Sequence, residues 1–314
     1  MPVELDINAL CPTWEAFLAK IMGDKEMIEY LQRAVGYSLT ASTREQNLFF
    51  MYGTGSNGKS TFVETLMTLL GDYAQKAPPS LISVKKPGFE GIPNDMARLR
   101  GARLVVCSEL GENECLWESR VKDLTGGDKI VARYMRGEFF DFNATHKLWI
   151  YGNHRPVVYG GDNGIWRRIH LVPFEVAIPE NEKDKELKEK LKAELPGILM
   201  WAIAGYYQWL EMGLKPPAKV VDATAEYRSE MDTMGAFIEE ECIVDTNAKV
   251  TTQGLYDQYK AWVETRKEYP VNVKKFTQRL RDRGFMPEKV NRVRGWHGIR
   301  LISVTDPIRV ADNQ

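Results

Sequence analysis

The sequence predicts an α/β protein with a P-loop nucleotide-binding core, and three observations carry that prediction. A phosphate-loop motif lies between an apolar run and a stretch with helical spacing, which is the strand, loop and helix order that the motif requires. Further apolar runs end in polar residues, as the buried strands of an open parallel sheet do. The last third is basic and has its own helix and hairpin pattern, so we expect a separate C-terminal domain.

The phosphate-loop motif spans residues 53–61 and fits the pattern of Gly, four free positions and Gly-Lys-Ser/Thr. Its glycines let several backbone N–H groups point at phosphate oxygens, and the N-terminus of the next helix adds positive charge. We expect Lys59 to reach the β- and γ-phosphates of ATP and Ser60 to ligate Mg²⁺. The predicted ATP-binding residues are Gly53, Thr54, Gly55, Ser56, Asn57, Gly58, Lys59, Ser60 and Thr61.

The composition limits the class of protein. A chain of 314 residues with 44% hydrophobic and 27% charged residues is long enough for about two globular domains. No apolar run approaches the ~20 residues that cross a bilayer, and acids stand near the N-terminus where a secretory signal has bases. We therefore expect a cytoplasmic protein without a membrane partner. The four cysteines form no Cys-x-x-Cys pair, which argues against a zinc site or a disulfide framework.

Two apolar runs place polar side chains next to the phosphate loop. Residues 103–107 indicate a buried strand followed by Ser108 and Glu109, and residues 147–152 indicate another followed by Asn153. Ligands of an open α/β sheet bind at the carboxyl ends of its strands. Glu109 could therefore polarise an attacking water, as a general base or through the Mg²⁺ shell, and Asn153 could contact the γ-phosphate. Asn153 could equally be a loop former in the turn that follows.

Residues 125–142 predict a β-hairpin, because two β-prone runs flank Arg136-Gly137-Glu138. A basic hairpin tip with aromatic neighbours suits a nucleic-acid backbone, and the alternative is an ordinary solvated hairpin. Further on, Arg167 and Arg168 follow a glycine-rich turn and precede another strand. If they project from the far side of the sheet, these arginines are well suited to reach the ATP of a neighbouring subunit.

With these features in hand, the chain resembles the viral superfamily 3 helicases, in particular the helicase half of phage and plasmid primase-helicases. Four features match in order over roughly residues 10–215: the phosphate loop, the strand that ends in Ser108-Glu109, the Leu-Thr-Gly-Gly-Asp stretch before the hairpin, and Lys-Leu-Trp-Ile-Tyr-Gly-Asn-His-Arg-Pro with the later Gly-Ile-Trp-Arg-Arg. The resemblance implies an AAA+-like core that assembles as a hexameric ring and moves along single-stranded DNA, typically 3′ to 5′.

The resemblance also implies a role for each matching residue. Lys59 and Ser60 would hold ATP and Mg²⁺, Glu109 would be the second acid of the Walker B strand, and Asn153 the sensor. Arg167 or Arg168 would be the arginine finger acting in trans. Ser108 stands where many NTPases have Asp, so Glu109 would act on the metal either directly or through water. The pore hairpin that grips DNA would consist of Arg136 with Arg133 and Lys129.

The C-terminal region carries most of the local positive charge. Residues 272–300 contain nine Lys or Arg against two acids. From about Met231 the pattern is three helices and a hairpin, which is the order of a winged helix. Such a domain would bind duplex DNA or pack between subunits, and the charge favours DNA. The predicted DNA-binding residues here are Lys274, Lys275, Gln278, Arg281 and Arg294.

We therefore predict an N-terminal helical segment (1–46), an ATPase core (47–215), a linker or helix (216–230) and a winged-helix domain (231–314). The expected function is a homohexameric DNA helicase that uses ATP and Mg²⁺ and acts on single-stranded and forked DNA, with a primase or polymerase partner. One alternative is an initiator that binds an origin duplex without unwinding it. Another is a small-molecule kinase, which would need neither the hairpin nor the paired arginines. The chain is expected to be either part of a larger primase-helicase or a stand-alone helicase.

Overall fold

A computed structural model describes residues 2–84, 96–108, 111, 114–158, 163–266, 270–303 and 306. It divides into two compact units, Met1–Ser229 and Glu230–Gln314. The helices of the first unit are α1 (Pro12–Met22), α2 (Lys25–Ser38), α3 (Lys59–Leu70), α4 (Glu118–Thr125), α5 (Asn163–Trp166), α6 (Leu187–Ala193), α7 (Leu195–Met212) and α8 (Ala218–Glu230). Its strands are β1 (Leu48–Tyr52), β2 (Ala74–Ala77), β3 (Ser83–Val84), β4 (Leu104–Ser108), β5 (Cys115–Leu116), β6 (Lys129–Arg133), β7 (Phe139–Asn143), β8 (Lys147–Gly152) and β9 (Ile169–Pro173).

The first unit is built on a five-stranded sheet with the order β2-β4-β8-β1-β9, in which every neighbouring pair is parallel. The predicted parallel sheet is confirmed, and its buried apolar runs are β1, β4, β8 and β9. Strand β2 was not predicted, because its sequence, Ala-Gln-Lys-Ala, contains no apolar run. It lies at the edge of the sheet and pairs only with β4. Since β8 lies between β1 and β4, the carboxyl end of β8 stands directly beside the phosphate loop.

The N-terminal helices pack into the same core as the sheet. The Trp14 ring of α1 stacks on Phe62 of α3 with centroids 5.4 Å apart. Helices α2 and α7 approach so closely that a Cβ added to Gly205 would lie 2.0 Å from the carbonyl oxygen of Gln32. The segment predicted as 1–46 therefore folds as part of the first unit, and so does α8, where Tyr227 donates a hydrogen bond to the carbonyl of Pro156.

A buried lysine stands at the start of β8, on the face that α2 covers. Lys147 is 2% exposed, and its ammonium donates to the Thr40 carbonyl at 2.5 Å and lies 4.5 Å from the centre of the Tyr37 ring. Burial, together with the charge of Arg103, lowers the pKa of Lys147 to about 7. The unfolded chain therefore holds this proton more tightly than the folded protein does.

This difference predicts a pH-dependent stability. Between pH 7 and the ordinary lysine pKa of 10.5, folding releases the Lys147 proton, so the free energy of unfolding should rise with pH by about 1.4 kcal/mol per unit. The cost of burying this lysine is therefore largest at pH 7 and below, and it disappears as the pH rises towards 10.5. Urea denaturation of the wild type and Lys147→Met at pH 7, 8 and 9 measures it as the difference between the two proteins. A difference that stays constant over this range would contradict the prediction.

The predicted hairpin is confirmed as the antiparallel pair β6 and β7. Strand β6 alternates in burial, with Ile130 and Ala132 facing inward and Lys129, Val131 and Arg133 facing solvent. Arg136 lies in the connecting turn with φ of 61°, in the left-handed region. The tip of the hairpin is thus fully exposed and held in a tight turn.

The second unit contains α9 (Thr233–Glu241), β10 (Cys242–Thr251), α10 (Thr252–Thr265), α11 (Val273–Asp282), β11 (Met286–Val290) and β12 (Val293–Leu301). Its antiparallel sheet has the order β10-β12-β11, and its core includes Phe237, Tyr259, Phe276 and Trp296. The three predicted helices and the hairpin are present. Strand β10 was not predicted, because it is largely exposed and its register shifts between Val244 and Lys249. Within the described parts of both units, no helix is long and apolar enough to span a membrane.

Candidate functional site

The phosphate loop connects the carboxyl end of β1 to the N-terminus of α3. Gly55 and Gly58 both have positive φ, 113° and 84°, so the loop curls between them. A side chain at Gly53 would collide with other groups, since a Cβ there would lie 2.2 Å from the Asn57 amide nitrogen and 2.3 Å from the Phe174 carbonyl. Position 53 therefore has room only for glycine, and the loop curls directly before the N-terminus of α3, which is where a P-loop binds phosphate.

Lys59 is the first residue of α3, and the residue is only 5% exposed. It donates to the Gly53 carbonyl at 2.7 Å, to the Asn57 side-chain oxygen at 2.9 Å and to the Asn153 side-chain oxygen at 3.3 Å. Burial lowers the pKa of Lys59. Its three partners are neutral oxygens, so phosphate oxygens could replace them without breaking an ion pair.

Asn153 follows β8, where the sheet order places it beside the loop. The structure thus brings together Lys59 and Asn153, two residues that are 94 positions apart in the sequence. Asn57 makes hydrogen bonds on both sides: its amide NH₂ donates to the Phe174 carbonyl at 2.9 Å, and its side-chain oxygen accepts from Lys59. It therefore ties the loop to the chain just after β9.

A pocket of about 600 Å³ opens in front of the loop, which is within the usual range for small-molecule sites. Two of its walls were not predicted. One is α1, through Thr13, Phe17 and Lys20, and the other is the charged segment after β9, through Ile178 and Lys183 among others. These residues belong to no sequence motif, because they reach the loop only when the chain folds. The helical spacing of apolar residues in α1 predicts that this helix packs against the core, but it does not predict that the helix lines the pocket.

Charged groups join these two walls at the mouth of the pocket. Lys20 of α1 lies 2.9 Å from a carboxylate oxygen of Glu182, and Lys183 donates to the Ser56 hydroxyl at 3.3 Å. The backbone N–H of Ile178 donates to the Ser56 carbonyl at 2.8 Å. The charged segment after β9 therefore contacts the phosphate loop.

The predicted metal ligands have different outcomes. Ser60 lies in the first turn of α3, is exposed and lines the pocket. Glu109 lies outside the described residues. Among the residues that are described, no group of three His, Cys, Asp or Glu side chains could hold a metal ion. A P-loop Mg²⁺ needs no such cluster, since phosphate oxygens and water supply most of its ligands, and the exposed Ser60 hydroxyl is placed where it could be one protein ligand.

The two predicted arginines have opposite environments. Arg167 is exposed, and its guanidinium donates to the side-chain oxygen of Gln46 at 2.7 Å. Arg168 is 8% exposed and donates through Nε to the Thr125 hydroxyl at 3.1 Å and through Nη1 to the Gly164 carbonyl at 2.5 Å. Only Arg167 is therefore accessible to another molecule.

The residues predicted to contact DNA at the hairpin lie on its solvent-facing side. Lys129 and Arg133 share the exposed face of β6, and Arg136 lies in the turn. The Arg133 guanidinium lies 5.0 Å from the centre of the Phe139 ring on the opposing strand, and Phe139 is 66% exposed. Cations and an aromatic ring thus form one exposed surface.

In the second unit, α11 and the β11–β12 hairpin line a groove of about 670 Å³. Of the predicted residues, Lys274, Arg281 and Arg294 line it, whereas Lys275 and Gln278 do not. Lys289 is a further cation of the groove that was not predicted. Glu288 also lines it, but this carboxylate pairs with Lys249 at 2.5 Å, so the groove keeps a basic character.

The parallel sheet, the curled glycine loop and the buried lysine define the first unit as a P-loop-like core. Two family models match the chain: residues 51–168 match a family of unknown function (DUF5906), and residues 229–296 match the family described as poxvirus D5 protein-like. The first match covers the loop, the hairpin and both arginines. The second covers most of the second unit.

Individual relatives are viral. The chain is 27% identical over 268 residues to "Putative helicase L207/L206" of Acanthamoeba polyphaga mimivirus, which covers 79% of this chain and 28% of the relative. It is 28% identical over 163 residues to "Primase D5" of Fowlpox virus (strain NVSL), covering 46% of this chain and 19% of the relative. The chain thus spans less than a third of either protein. These similarities support a relationship to D5-like helicase-primases.

A solved structure shares the fold. The apo structure of the C terminal region of NrS-1 superposes with a TM-score of 0.54, covering 94% of this chain and 77% of that chain. The sequence identity is 9%, so the likeness concerns the fold alone.

Proposed function

We propose that this chain is the motor part of a viral or mobile-element DNA helicase, which hydrolyses ATP with Mg²⁺ and translocates on single-stranded DNA, 3′ to 5′, as a hexameric ring. In this proposal the first unit is an AAA+-like superfamily 3 core. A primase or polymerase activity acts with it, in keeping with relatives that are named as helicases and as a primase.

The observation that carries the proposal is the contact between Lys59 and Asn153 at the mouth of the phosphate loop, 3.3 Å between Nζ and Oδ1. Strand β8 lies between β1 and β4 in the sheet, and Asn153 follows its carboxyl end. The Asn153 amide therefore lies beside Lys59, where the γ-phosphate of a bound ATP would be. An amide there can hold an attacking water, which hydrolysis requires and simple nucleotide binding does not.

The residues of the site then have distinct tasks. Lys59 exchanges its neutral partners for the β- and γ-phosphate oxygens, and Asn153 is released to orient the water. Ser60 would hold Mg²⁺, and the bound ion would neutralise part of the negative charge of the phosphates. Glu109 is proposed to activate the water, and Arg167 to reach the γ-phosphate bound by the neighbouring subunit.

The DNA contacts are proposed on two surfaces. In the first unit, Arg136, Arg133 and Lys129 would contact the backbone of a single strand, with Phe139 offering a ring to a base. In the second unit, the order α9, β10, α10, α11, β11 and β12 supports a winged-helix interpretation, in which α11 and the basic groove bind duplex DNA. That groove also favours the second candidate function, an ATP-dependent initiator that binds an origin duplex without unwinding it.

Strand displacement on forked DNA tests the proposal. With ATP and Mg²⁺ we expect unwinding of a fork with a 3′ single-stranded arm, little unwinding with only a 5′ arm, and none from Lys59→Ala, because the phosphates lose their buried cation. Unwinding that required the 5′ arm would contradict the direction. DNA-stimulated hydrolysis of ATP without displacement on any fork would favour the initiator.

A further inference from the structure

Arg168 and Thr125 join two segments that the sequence keeps 43 residues apart. Nε of Arg168 donates to the Thr125 hydroxyl at 3.1 Å, and both residues are buried. The same hydroxyl donates to the Val121 carbonyl at 2.7 Å, so its orientation is fixed by its own helix. A buried guanidinium is costly unless it is hydrogen-bonded, and the resulting contact is therefore a rigid one.

Thr125 lies at the base of the hairpin. It is the last residue of α4, and only three residues separate it from Lys129, where β6 begins. The connection from α4 to β6 is short and tightly packed at its start. The N–H of Gly126 donates to the Lys122 carbonyl at 2.8 Å, and a Cβ on Gly126 would lie 2.9 Å from the same oxygen. A displacement of Thr125 therefore carries the start of the hairpin with it.

Arg168 lies at the start of β9, and the other end of that strand is tied to the phosphate loop. Just past β9, the Phe174 carbonyl accepts from the Asn57 amide at 2.9 Å, and the Ile178 N–H donates to the Ser56 carbonyl at 2.8 Å. Strand β9 also pairs with β1 along its whole length. One short, stiff strand thus connects the loop that would bind the nucleotide to the contact that holds the hairpin base.

We propose that Arg168 is a positioning residue that couples the nucleotide site to the DNA hairpin through Thr125, rather than a residue that contacts ATP. This inference rests on the proposed function, since it takes the loop as the ATP site and the hairpin as the DNA contact. The neighbouring Arg167, which is exposed, keeps the role in trans. The two arginines would therefore have different roles: Arg167 would act on the ATP of the neighbouring subunit, and Arg168 would hold the base of the hairpin in its own subunit.

Thr125→Val tests the coupling, because valine has nearly the shape of threonine and removes only the hydroxyl that Arg168 binds. We expect its ATPase rate without DNA to stay within about twofold of the wild type, while the fold stimulation by single-stranded DNA falls by about fivefold or more. Thr125→Ser keeps the hydroxyl and should keep the stimulation. Thr65→Val is the matched control, since Thr65 is buried and donates to the carbonyl four residues earlier, at 2.8 Å, and no arginine among the described residues bonds its hydroxyl.

A second measurement covers the case in which the valine variant does not fold. Hydrogen exchange of the wild type, with and without a non-hydrolysable ATP analogue, should change protection in residues 126–143 as well as in the phosphate loop. If Thr125→Val is stimulated by DNA as strongly as the wild type, or if the analogue leaves the hairpin unchanged, the coupling is overturned while the proposed function stands. A wild type that lacks DNA-stimulated ATPase overturns the proposed function and the coupling together.

Discussion

Replacing Arg167 by alanine is expected to lower the ATPase rate of the proposed hexamer by about 10³-fold, because the proposed role of Arg167 is that of an arginine finger, which stabilises the charge that develops on the transferred phosphate. Stability should hardly change, since Arg167 is exposed and its side chain has one described hydrogen bond, to Gln46. The measurement is steady-state ATP hydrolysis with saturating single-stranded DNA. Arg228→Ala is the matched control: Arg228 is exposed and bonds the Asn163 amide oxygen at 2.7 Å, in the same manner, and should retain activity.

A mixing experiment decides whether Arg167 acts on its own subunit or on a neighbour. Arg167→Ala and Lys59→Ala should each be inactive alone. When the two are assembled together at equal amounts, roughly one interface in four combines an intact Lys59 with an intact Arg167 from the adjacent copy. Hydrolysis should therefore recover to about that share of the wild-type rate. A mixture that remains inactive would show that the arginine does not act across an interface.

Much of the first unit could be predicted because its signals are local. The phosphate loop is a contiguous motif, and β1, β4, β8 and β9 are apolar runs because parallel strands are buried on both faces. The confirmed hairpin has turn residues between β-prone runs. By contrast, β2 and β10 follow no apolar pattern, since an edge strand and a largely exposed strand obtain their structure from pairing with a neighbour.

The candidate site shows a limit of another kind. The sequence indicated a functional role for the pair Arg167 and Arg168 without distinguishing between them. Adjacent residues before a strand point in different directions, and the packing of α4 determines which of the two is buried. The same holds for Phe17 and Lys183, which line the pocket in front of the phosphate loop from segments without a motif. Residue types that bear chemistry can be recognised in the sequence, whereas the direction of a side chain is set by tertiary packing.

Asn153 carries the second large expected effect. In Asn153→Ala, Lys59 keeps its bonds to Gly53 and Asn57, so ATP should still bind with a KM close to that of the wild type. The rate should fall by about 10²-fold, because the group that orients the water is absent. A loss in kcat with little change in KM is the signature of an interaction made only in the transition state. Steady-state ATPase kinetics with saturating DNA, together with equilibrium binding of a fluorescent nucleotide, separates the two quantities.

Asn153→Asp changes the charge at nearly constant shape and should behave differently. A carboxylate at that position would stand about as near to Nζ of Lys59 as the amide oxygen does, 3.3 Å, and would hold the ammonium in an ion pair while repelling the γ-phosphate. Both kcat and nucleotide affinity should then fall. His154→Ala, at the adjacent exposed position, serves as the control and should leave both nearly unchanged. If Asn153→Ala hydrolyses ATP at the wild-type rate, the amide only caps Lys59 in the free protein, and the water must be oriented by another group.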